Sequence, residues 1–200
     1  TCDDEFVNDW EVNGNTVTVY LSENTEIITR TATIKVTYGK VFTNVTIKQD
    51  GKPGASGTVI LSEQFDNTNT NIDGTAITAA TFPNFSGSFN KAYKGFGGIK
   101  LGTSSVVGYI TSKTLDLSSK FTVQLDAGRY KANTTEISVT VGSQTKTISN
   151  AQLSNCSTTS DGLTTFILEF EAATASSTVK ISTTSNGKRA LIDNVIITKY

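Results

Sequence analysis

The sequence contains no histidine, no methionine, two prolines and only two cysteines among its 200 residues. Without histidine, the chain cannot form a Ser-His-Asp or Cys-His catalytic group or a histidine-ligated metal site. Cys2 and Cys156 are too few for a disulfide framework or for a cysteine-ligated zinc cluster. Glycine-rich phosphate loops and dinucleotide-binding fingerprints are also absent from the sequence. Any catalysis by this chain would therefore depend on carboxylates.

The sequence also has little net charge and no long apolar run. Its formal net charge is −1, so it lacks the basic excess with which proteins bind nucleic acid. No apolar stretch approaches the roughly 18 residues that a transmembrane helix needs. We therefore expect neither a nucleic-acid partner nor a membrane-spanning segment.

Residue types that favour β-strands are abundant in the sequence. Thr, Val and Ile are abundant, and branching at Cβ suits a pleated, half-buried strand better than a helix. Apolar positions do not recur at helical spacing over any long stretch. The sequence therefore predicts an all-β protein.

Residues 16–51 show the clearest alternation of apolar and polar side chains. The pattern predicts three strands in succession, separated at Asn24 and Gly39. The middle strand has one apolar face, which carries Ala32, Ile34, Val36 and Tyr38.

The segment 52–57 (KPGASG) is rich in glycine and small residues and predicts a linker between two domains. Many medium-length strands separated by polar loops follow it, which predicts an antiparallel sandwich over residues 58–200. Gly142 and Ser143 are typical of a tight hairpin turn. The predicted strands cover residues 58–65, 96–102, 107–113, 121–130, 136–142, 144–149, 163–171, 178–184 and 189–199.

The first part of the chain resembles the second half of a BACON domain, an immunoglobulin-like module common in secreted Bacteroidetes proteins. The residues that carry this resemblance are Asn24, Arg30, Ala32, Ile34, Gln49 and Gly51. The resemblance implies that residues 1–51 are part of an immunoglobulin-like sandwich at the cell surface or in a secreted protein. It also implies that Trp10, the only tryptophan, is buried in the core of that module.

Residues 58–200 resemble the jelly-roll modules of Bacteroidetes surface proteins. The matching residues are Glu63 and Phe65 in the first strand and Ile192, Asp193, Asn194 and Val195 in the last. The expected fold of the whole chain is thus an immunoglobulin-like β-sandwich fragment followed by an antiparallel jelly-roll β-sandwich. The resemblance implies a non-catalytic protein of the cell surface (outer membrane), or a secreted one, that binds carbohydrate or adheres to glycans. The alternatives are a glycoside hydrolase that uses jelly-roll carboxylates and a structural spacer without a ligand.

Cys2 is followed by three acidic residues, Asp3, Asp4 and Glu5. A cysteine in this setting resembles the lipid-attachment point of Bacteroidetes surface lipoproteins, which would give the protein a lipid anchor. The alternative is that Cys2 lies in a turn of a longer BACON domain. Both interpretations indicate the cell envelope.

Two acidic residues interrupt apolar strand faces. Glu63 shares its predicted face with Val59, Leu61 and Phe65. Asp193 shares its predicted face with Leu191, Val195 and Ile197. A carboxylate on an apolar face is unfavourable unless it is hydrogen-bonded or neutralised by a cation.

The first and last strands are neighbours in many jelly rolls, so we expect Glu63 and Asp193 to lie close together. One explanation is a structural calcium ion bound by Glu63, Asp66, Asp193 and backbone carbonyls. A second is an ion pair with Arg129 or Arg189, and a third is a β-bulge that turns one acid outward.

Residues 82–96 place five aromatic side chains among Gly, Asn and Ser. An aromatic ring can stack on a sugar ring while neighbouring amides and ammonium groups bind its hydroxyls. A glycan site is therefore predicted at Tyr93, with Asn84, Asn90, Lys91 and Lys94. The alternative is a loop whose phenylalanine rings are buried under the rim of the sandwich.

Glu169 and Glu171 share one face of a predicted strand with Ile167, while Phe166, Leu168 and Phe170 form its core face. Their Cα atoms would be about 6.6 Å apart, near the range for the carboxylate pair of a glycosidase. The sequence shows no third acid and no neighbouring Trp or Tyr that could bind a sugar. We therefore favour a solvated outer face for this pair.

Overall fold

The computed structural model describes residues 6–25, 29–39, 41–51, 57–66, 75–78, 81–95, 97–131, 133–157 and 162–200. The chain divides into two compact units, the first unit, Thr1–Ser56, and the second unit, Gly57–Tyr200. Three sequence interpretations fall outside the described residues: those on Cys2, on linker residues 52–56 and on Phe96. No helix in the described ranges is long and apolar enough to cross a membrane.

The described residues of the first unit form two antiparallel hairpins. Their strands are β1 (Val7–Asn13), β2 (Thr16–Leu21), β3 (Arg30–Tyr38) and β4 (Val41–Gln49). The three strands predicted between residues 16 and 51 are confirmed. β1 was not predicted, because an irregularity in pairing between Val7 and Asp9 interrupts its alternation. Along β3, Ala32 is buried while Thr33 and Lys35 are exposed, as predicted.

The residues that resemble a BACON domain make structural hydrogen bonds. Arg30 donates from Nη2 to the carbonyl of Ser22 at 2.7 Å and from Nε to Oε1 of Gln49 at 2.8 Å. Gln49 donates to the same Ser22 carbonyl at 3.0 Å. Asn24, which is 4% exposed, donates to the carbonyl of Asp50 at 3.1 Å. These bonds join the segment after β2 to the β3–β4 hairpin.

The expectation that Trp10 is buried is wrong, because its exposed fraction is 51%. Trp10 borders an open groove of about 240 Å³ with Val12, Val17 and Ile34. Val12 is itself 67% exposed. The two hairpins of the described residues are two-stranded, and such ribbons present too little apolar surface to enclose an indole ring.

The second unit is a two-layer β-sandwich. Its strands are β5 (Thr58–Glu63), β6 (Thr75–Ala76), β7 (Phe89–Asn90), β8 (Ala92–Gly95), β9 (Gly98–Leu101), β10 (Tyr109–Thr111), β11 (Phe121–Tyr130), β12 (Ile137–Val141), β13 (Gln144–Ile148), β14 (Ser154–Cys156), β15 (Thr164–Phe170), β16 (Lys180–Thr183) and β17 (Ala190–Lys199). A 3₁₀ turn, Pro83–Phe85, is the one helical element in the described residues. The all-β prediction and the predicted jelly-roll sandwich are confirmed.

One sheet of the second unit has the strand order β13-β12-β16-β10-β7. The other, called here the large sheet, has the order β14-β11-β17-β9-β8-β6, with β15 also paired to β11 and β5 to β17. The pairs are antiparallel except that of β14 with β11, which is parallel. Alternate side chains of the two sheets form one core in which Leu125, Val139, Ile181 and Ile192 are fully buried. The opposite, outer face of the large sheet carries the polar residues described next.

Candidate functional site

A cleft of about 290 Å³ lies on the outer face of the large sheet. The described residues that line this cleft, called here the basic cleft, are Tyr93, Lys100, Thr103, Ser104 and Arg189. Tyr93 on β8 is the cross-strand partner of Lys100 on β9. Partners in a ladder share one face of a sheet, so the register places these two side chains side by side.

Lys100 is a buried cation supported by aromatic rings. It follows Ile99 and precedes Leu101, both of which are fully buried in the core, so its own side chain points to the outer face. The residue is only 4% exposed, and its Nζ lies 4.8 Å from the ring centroid of Tyr93. A cation held over an aromatic ring in a desolvated setting is stabilised by about 2 kcal/mol.

Three positively charged side chains, including that of Lys100, lie near the ring of Tyr130. This ring is 2% exposed, and its centroid lies 5.5 Å from Lys100 Nζ, 5.3 Å from Lys131 Nζ and 5.4 Å from Arg189 Cζ. The Asn133 amide, in the orientation that satisfies both its groups, accepts from Arg189 Nη2 at 3.0 Å and donates to a backbone carbonyl. The guanidinium is therefore positioned at the edge of the cleft.

The loop 102–108 closes one side of the cleft and is held by hydrogen bonds of its own. The Thr103 hydroxyl accepts from the backbone N–H of Val106 at 3.1 Å, and the Thr103 N–H donates to the Val106 carbonyl at 3.0 Å. At its far end, the Gly108 N–H donates to Oγ1 of Thr183 at 3.1 Å. Ser104 at the tip is exposed, so its hydroxyl can reach a bound molecule.

Of the predicted glycan-binding residues, the structure places only Tyr93 in this cleft. Asn84 donates its amide to the carbonyl of Ser62 at 3.1 Å, and Asn90 donates to the carbonyl of Val107 at 3.0 Å. These two amides therefore hold backbone segments in place.

Neither of the two predicted lysines lines the cleft. Lys91 is exposed in the bend between β7 and β8. Lys94 is the cross-strand partner of Ile99, so it occupies the face of β8 opposite to Tyr93. Glycan binding around Tyr93 stays a prediction, with different neighbours from those predicted.

The phenylalanines of this segment follow the alternative interpretation. Phe82 and Phe85 are 8% and 1% exposed. Their rings pack on Phe65 with centroid distances of 5.1 and 5.2 Å. They are part of the core under the rim of the sandwich and are not available to stack on a ligand.

A β-bulge in β17 determines where Asp193 points. Gln124 pairs with Ile196, but Asp126 pairs with Asp193, so β17 contains one extra residue between these two positions. Asn194 within the bulge has φ 46°, a left-handed conformation that asparagine tolerates better than most residues. The alternation of side chains is therefore reversed at Asn194.

Because of this bulge, the predicted face of Asp193 is wrong. Ile192, Val195 and Ile197 belong to the main core, whereas Leu191 packs in a separate outer cluster. Asp193 therefore lies on the outer face with Leu191. The third explanation offered above, a bulge that turns the acid away from the core, matches the structure, although Asp193 remains 9% exposed.

Glu63 and Asp193 do not converge as predicted. Glu63 pairs with Val195 on the neighbouring strand, so it shares the inner face of Val195, opposite to Asp193. In the described residues, neither acid forms an ion pair with Arg129 or Arg189. The predicted ion pair is therefore wrong.

Burial makes Asp193 a weaker acid than usual. Its Oδ1 is buried and has no hydrogen-bond partner in the described residues. Burial, together with the nearby carboxylates of Asp66 and Asp126, raises the pKa of Asp193 to about 6. Asp126 itself accepts from Thr165 at 2.6 Å and from Asn194 at 2.7 Å. The carboxylate of Asp126 thus accepts two hydrogen bonds, whereas Oδ1 of Asp193 accepts none from the described residues.

Calcium at Glu63, Asp66 and Asp193 stays a prediction. Within the described ranges, no group of three or more acidic, cysteine or histidine side chains is placed to hold a metal ion. If calcium binds, chelation should lower the melting temperature, because a ligand that binds only the folded state stabilises it. Differential scanning calorimetry with and without EGTA measures this effect. Asp193→Asn should abolish it, and an unchanged melting temperature of the parent protein would contradict the prediction.

The faces predicted for β15 are confirmed. Phe170 is buried and Ile167 is 49% exposed. Glu171, just beyond the strand, is exposed and forms an ion pair with Lys120 at 3.2 Å. Glu171 therefore fits the solvated outer face that we favoured, whereas Glu169 is half-buried and its Oε1 atom is buried.

No family model matches the chain, and no curated protein matches it. Solved structures similar to it include the CBM22-1 and GH10 modules of an endo-1,4-β-D-xylanase from Clostridium thermocellum, with 16% identity and a TM-score of 0.42. That match covers 71% of this chain and 28% of the xylanase chain. A family 35 carbohydrate-binding module from Cellvibrio japonicus has 17% identity and a TM-score of 0.41 over 68% of this chain and 91% of that one. A family 35 module from an environmental isolate has 16% identity and a TM-score of 0.44 over 70% and 98%.

Proposed function

We propose that the second unit is a non-catalytic carbohydrate-binding domain of a secreted or cell-surface protein, and that it binds a sugar residue in the basic cleft. The observation that carries this proposal is the composition of the cleft. The half-buried ring of Tyr93 lies beside two cationic side chains and two hydroxyl groups, those of Lys100, Arg189, Thr103 and Ser104.

This combination suits a sugar better than it suits most small molecules. A pyranose presents an apolar C–H face and a rim of hydroxyls, so it needs a flat ring together with several hydrogen-bonding groups. The volume of about 290 Å³ lies near the lower limit of roughly 300–1,000 Å³ for ligand sites. The cleft therefore fits one or two sugar residues of a longer glycan that extends over the surface.

The first unit has a different role in this proposal. We propose that it is a BACON-like module that acts as a spacer. The partly buried hydrogen bonds of Arg30 and Gln49 to the carbonyl of Ser22 support this role, because they connect the two hairpins without forming a polar cleft.

Replacing Tyr93 by alanine should weaken glycan binding at least tenfold, about 1.4 kcal/mol. The substitution removes the stacking surface and leaves the polar groups of the cleft in place. A glycan array identifies the ligand, and isothermal titration calorimetry on that ligand measures the change.

Two control variants make this test specific. Tyr93→Phe keeps the ring and should retain most of the affinity. Glu169→Gln changes the outer face of β15 and should alter binding little. Equal affinities of Tyr93→Ala and the parent protein would contradict the proposal, and glycoside hydrolysis that disappears in Glu169→Gln would instead establish the hydrolase alternative.

A further inference from the structure

We propose that the outer face of the five-stranded sheet, β13-β12-β16-β10-β7, is a second carbohydrate-binding surface that takes an extended, uncharged polysaccharide chain across its strands. The class of ligand rests on the proposed function. The site is separate from the basic cleft, because the two sites lie on the outer faces of different sheets. The two proposals can therefore fail independently.

Polar side chains form two rows across the outer face of this sheet, called here the hydroxyl rows. Ile110, Val139 and Ile181 are fully buried in the core, so the residues next to them in sequence point to the outer face. The first row crosses all five strands through cross-strand partners and consists of Thr147, Ser138, Ser182, Tyr109 and Asn90. The second row crosses four strands and consists of Thr145, Thr140, Lys180 and Thr111.

Neighbouring hydroxyls in these rows are hydrogen-bonded to one another. The Oγ atoms of Ser138 and Ser182 lie 2.9 Å apart. The Oγ1 atoms of Thr140 and Thr145 lie 3.0 Å apart. Each hydroxyl offers one O–H donor and two acceptor positions, so the bond within a pair uses only one of its two O–H groups. The pairs are thus oriented by each other and keep the capacity to bind the hydroxyls of a ligand.

Tyr109 supplies an aromatic ring near the middle of the face. The residue is half-buried, and Nζ of Lys180 lies 4.1 Å from its ring centroid. Lys180 is exposed, and a cation–π contact is weak at an exposed position, so a sugar can displace the lysine stem from the ring. On the other side, Asn90 donates from Nδ2 to the carbonyl of Val107 at 3.0 Å, which fixes its amide beside Tyr109. A sugar residue stacked here would meet an ammonium group and an amide oxygen at its rim.

The low charge of the rows indicates a neutral ligand. Of these nine described side chains, only that of Lys180 is charged. The outer face of the large sheet, by contrast, carries Lys100, Asp126 and Asp193. Nucleic acids and charged protein segments are recognised by an excess of opposite charge. A surface of paired hydroxyls with little charge instead matches a neutral polysaccharide, whose hydroxyls both donate and accept hydrogen bonds.

The spacing of the strands matches a chain of sugars. Neighbouring strands lie about 4.7–4.9 Å apart, which is close to the length of one sugar residue in an extended β-linked chain. The five strands therefore span ~19 Å between the first and the last. A chain that lies along the first row would place successive sugar residues over successive strands, so its affinity should depend on its length.

Isothermal titration calorimetry on the whole chain tests this inference with neutral β-linked probes: xylohexaose, cellohexaose, mannohexaose and the corresponding disaccharides. For at least one hexasaccharide, we expect two molecules bound per chain. Its affinity for the hydroxyl rows should be at least tenfold above that of its disaccharide, because the disaccharide covers only part of a row. Raising the salt from 50 to 500 mM should leave this affinity unchanged within twofold, since salt screens charge and the rows carry little of it.

Variants assign the second ligand to the hydroxyl rows. The tenfold loss expected for Tyr93→Ala concerns the basic cleft, so this variant should still bind one hexasaccharide. Adding Tyr109→Ala should weaken that remaining binding at least tenfold, and adding Thr140→Val, which removes one hydroxyl and keeps the side-chain shape, at least threefold. Tyr20→Ala is the matched control, because it removes a 48% exposed tyrosine from the first unit and should change binding by less than twofold. Thermal melts show whether each variant is folded, and Thr140→Val gives the answer if Tyr109→Ala does not fold.

The possible outcomes separate this inference from the proposed function. One hexasaccharide per chain, with all binding lost in Tyr93→Ala, would overturn the inference and leave the basic cleft standing. Binding that persists in Tyr93→Ala and is unaffected by Tyr109→Ala and Thr140→Val would also overturn it, because the second ligand would then lie elsewhere. One hexasaccharide per chain, lost in Tyr109→Ala but not in Tyr93→Ala, would support the hydroxyl rows and overturn the basic cleft. Absence of binding by every probe would overturn the inference, while the glycan array still tests the proposed function.

Discussion

Gly108→Ala should destabilise the second unit by roughly 3–5 kcal/mol, in the upper tail of single substitutions. A Cβ at this position would lie 1.8 Å from the backbone nitrogen of Gly102 and 2.7 Å from the backbone carbon of Leu101. Both contacts are with backbone atoms, so no side-chain rotation can relieve them. Relief requires the loop 102–108 to move away from β9.

Thermal unfolding followed by circular dichroism measures this effect. A loss of this size should lower the melting temperature of the second unit by about 10 °C or more. Because the same loop carries Thr103 and Ser104, any folded fraction of the variant should also bind glycan more weakly than the parent protein.

Gly142→Ala is the matched control for this prediction. Gly142 has φ 56° in the β12–β13 turn, and a Cβ there would meet nothing within 4 Å. The expected cost is therefore only that of the left-handed conformation, about 1–2 kcal/mol. If Gly108→Ala were no more destabilising than Gly142→Ala, the close approach of the two backbone segments would be contradicted.

The strands that the sequence predicts best are those long enough to show alternation. The prediction for residues 121–130 matches β11, Phe121–Tyr130, with both ends correct. By contrast, β6, β7 and β14 are two or three residues long. Alternation with period two cannot be recognised in so few residues, and these strands form because neighbouring strands supply their hydrogen bonds.

The candidate site was only partly predictable, because it depends on pairing between distant segments. Tyr93 is recognisable as an aromatic residue in a polar segment. Its neighbours Lys100 and Arg189 come from β9 and from the residue that precedes β17, and only the strand order of the large sheet brings them together. A sequence read without that order assigns to Tyr93 the polar residues nearest in the chain, such as Asn90.

One extra residue in β17 makes the face predicted for Asp193 from alternation wrong. Alternation along residues 191–197 predicts that Asp193 faces the core, and the bulge at Asn194 reverses this outcome. The sequence did carry a signal, since an asparagine within a strand is uncommon and tolerates the left-handed conformation. That signal indicates a bulge but does not determine which neighbour turns outward.

In the presence of EGTA, the protein should lose stability as the pH rises from 4 to 7, and Asp193→Asn should abolish this loss. The folded protein raises the pKa of Asp193 to about 6, whereas an aspartate in the unfolded chain has a pKa of about 3.9. Ionisation therefore favours the unfolded state. The stabilising contribution of the neutral carboxyl is complete below about pH 4 and is lost as the pH rises through 6.

A difference of about two pKa units corresponds to roughly 3 kcal/mol. The Asn variant should match the parent protein near pH 4 and exceed its free energy of unfolding by up to that amount at pH 7.5. Urea titrations at intervals of half a pH unit measure the difference. Because the chain contains no histidine, no other side chain with an ordinary pKa between 5 and 8 obscures the slope.

Asp116→Asn is the control with the opposite sign. Hydrogen bonds from Lys199, at 2.6 Å, and from Ser118 lower the pKa of Asp116 to about 2. Its stabilising contribution is present above pH 4 and is lost only as the pH falls towards 2, so its replacement should leave the slope between pH 4 and 7 unchanged. A parent protein whose stability rises over that interval in EGTA would contradict the buried, unpaired state of Asp193. A gain in stability on adding calcium at pH 7.5, absent in Asp193→Asn, would show that a cation neutralises the same carboxylate.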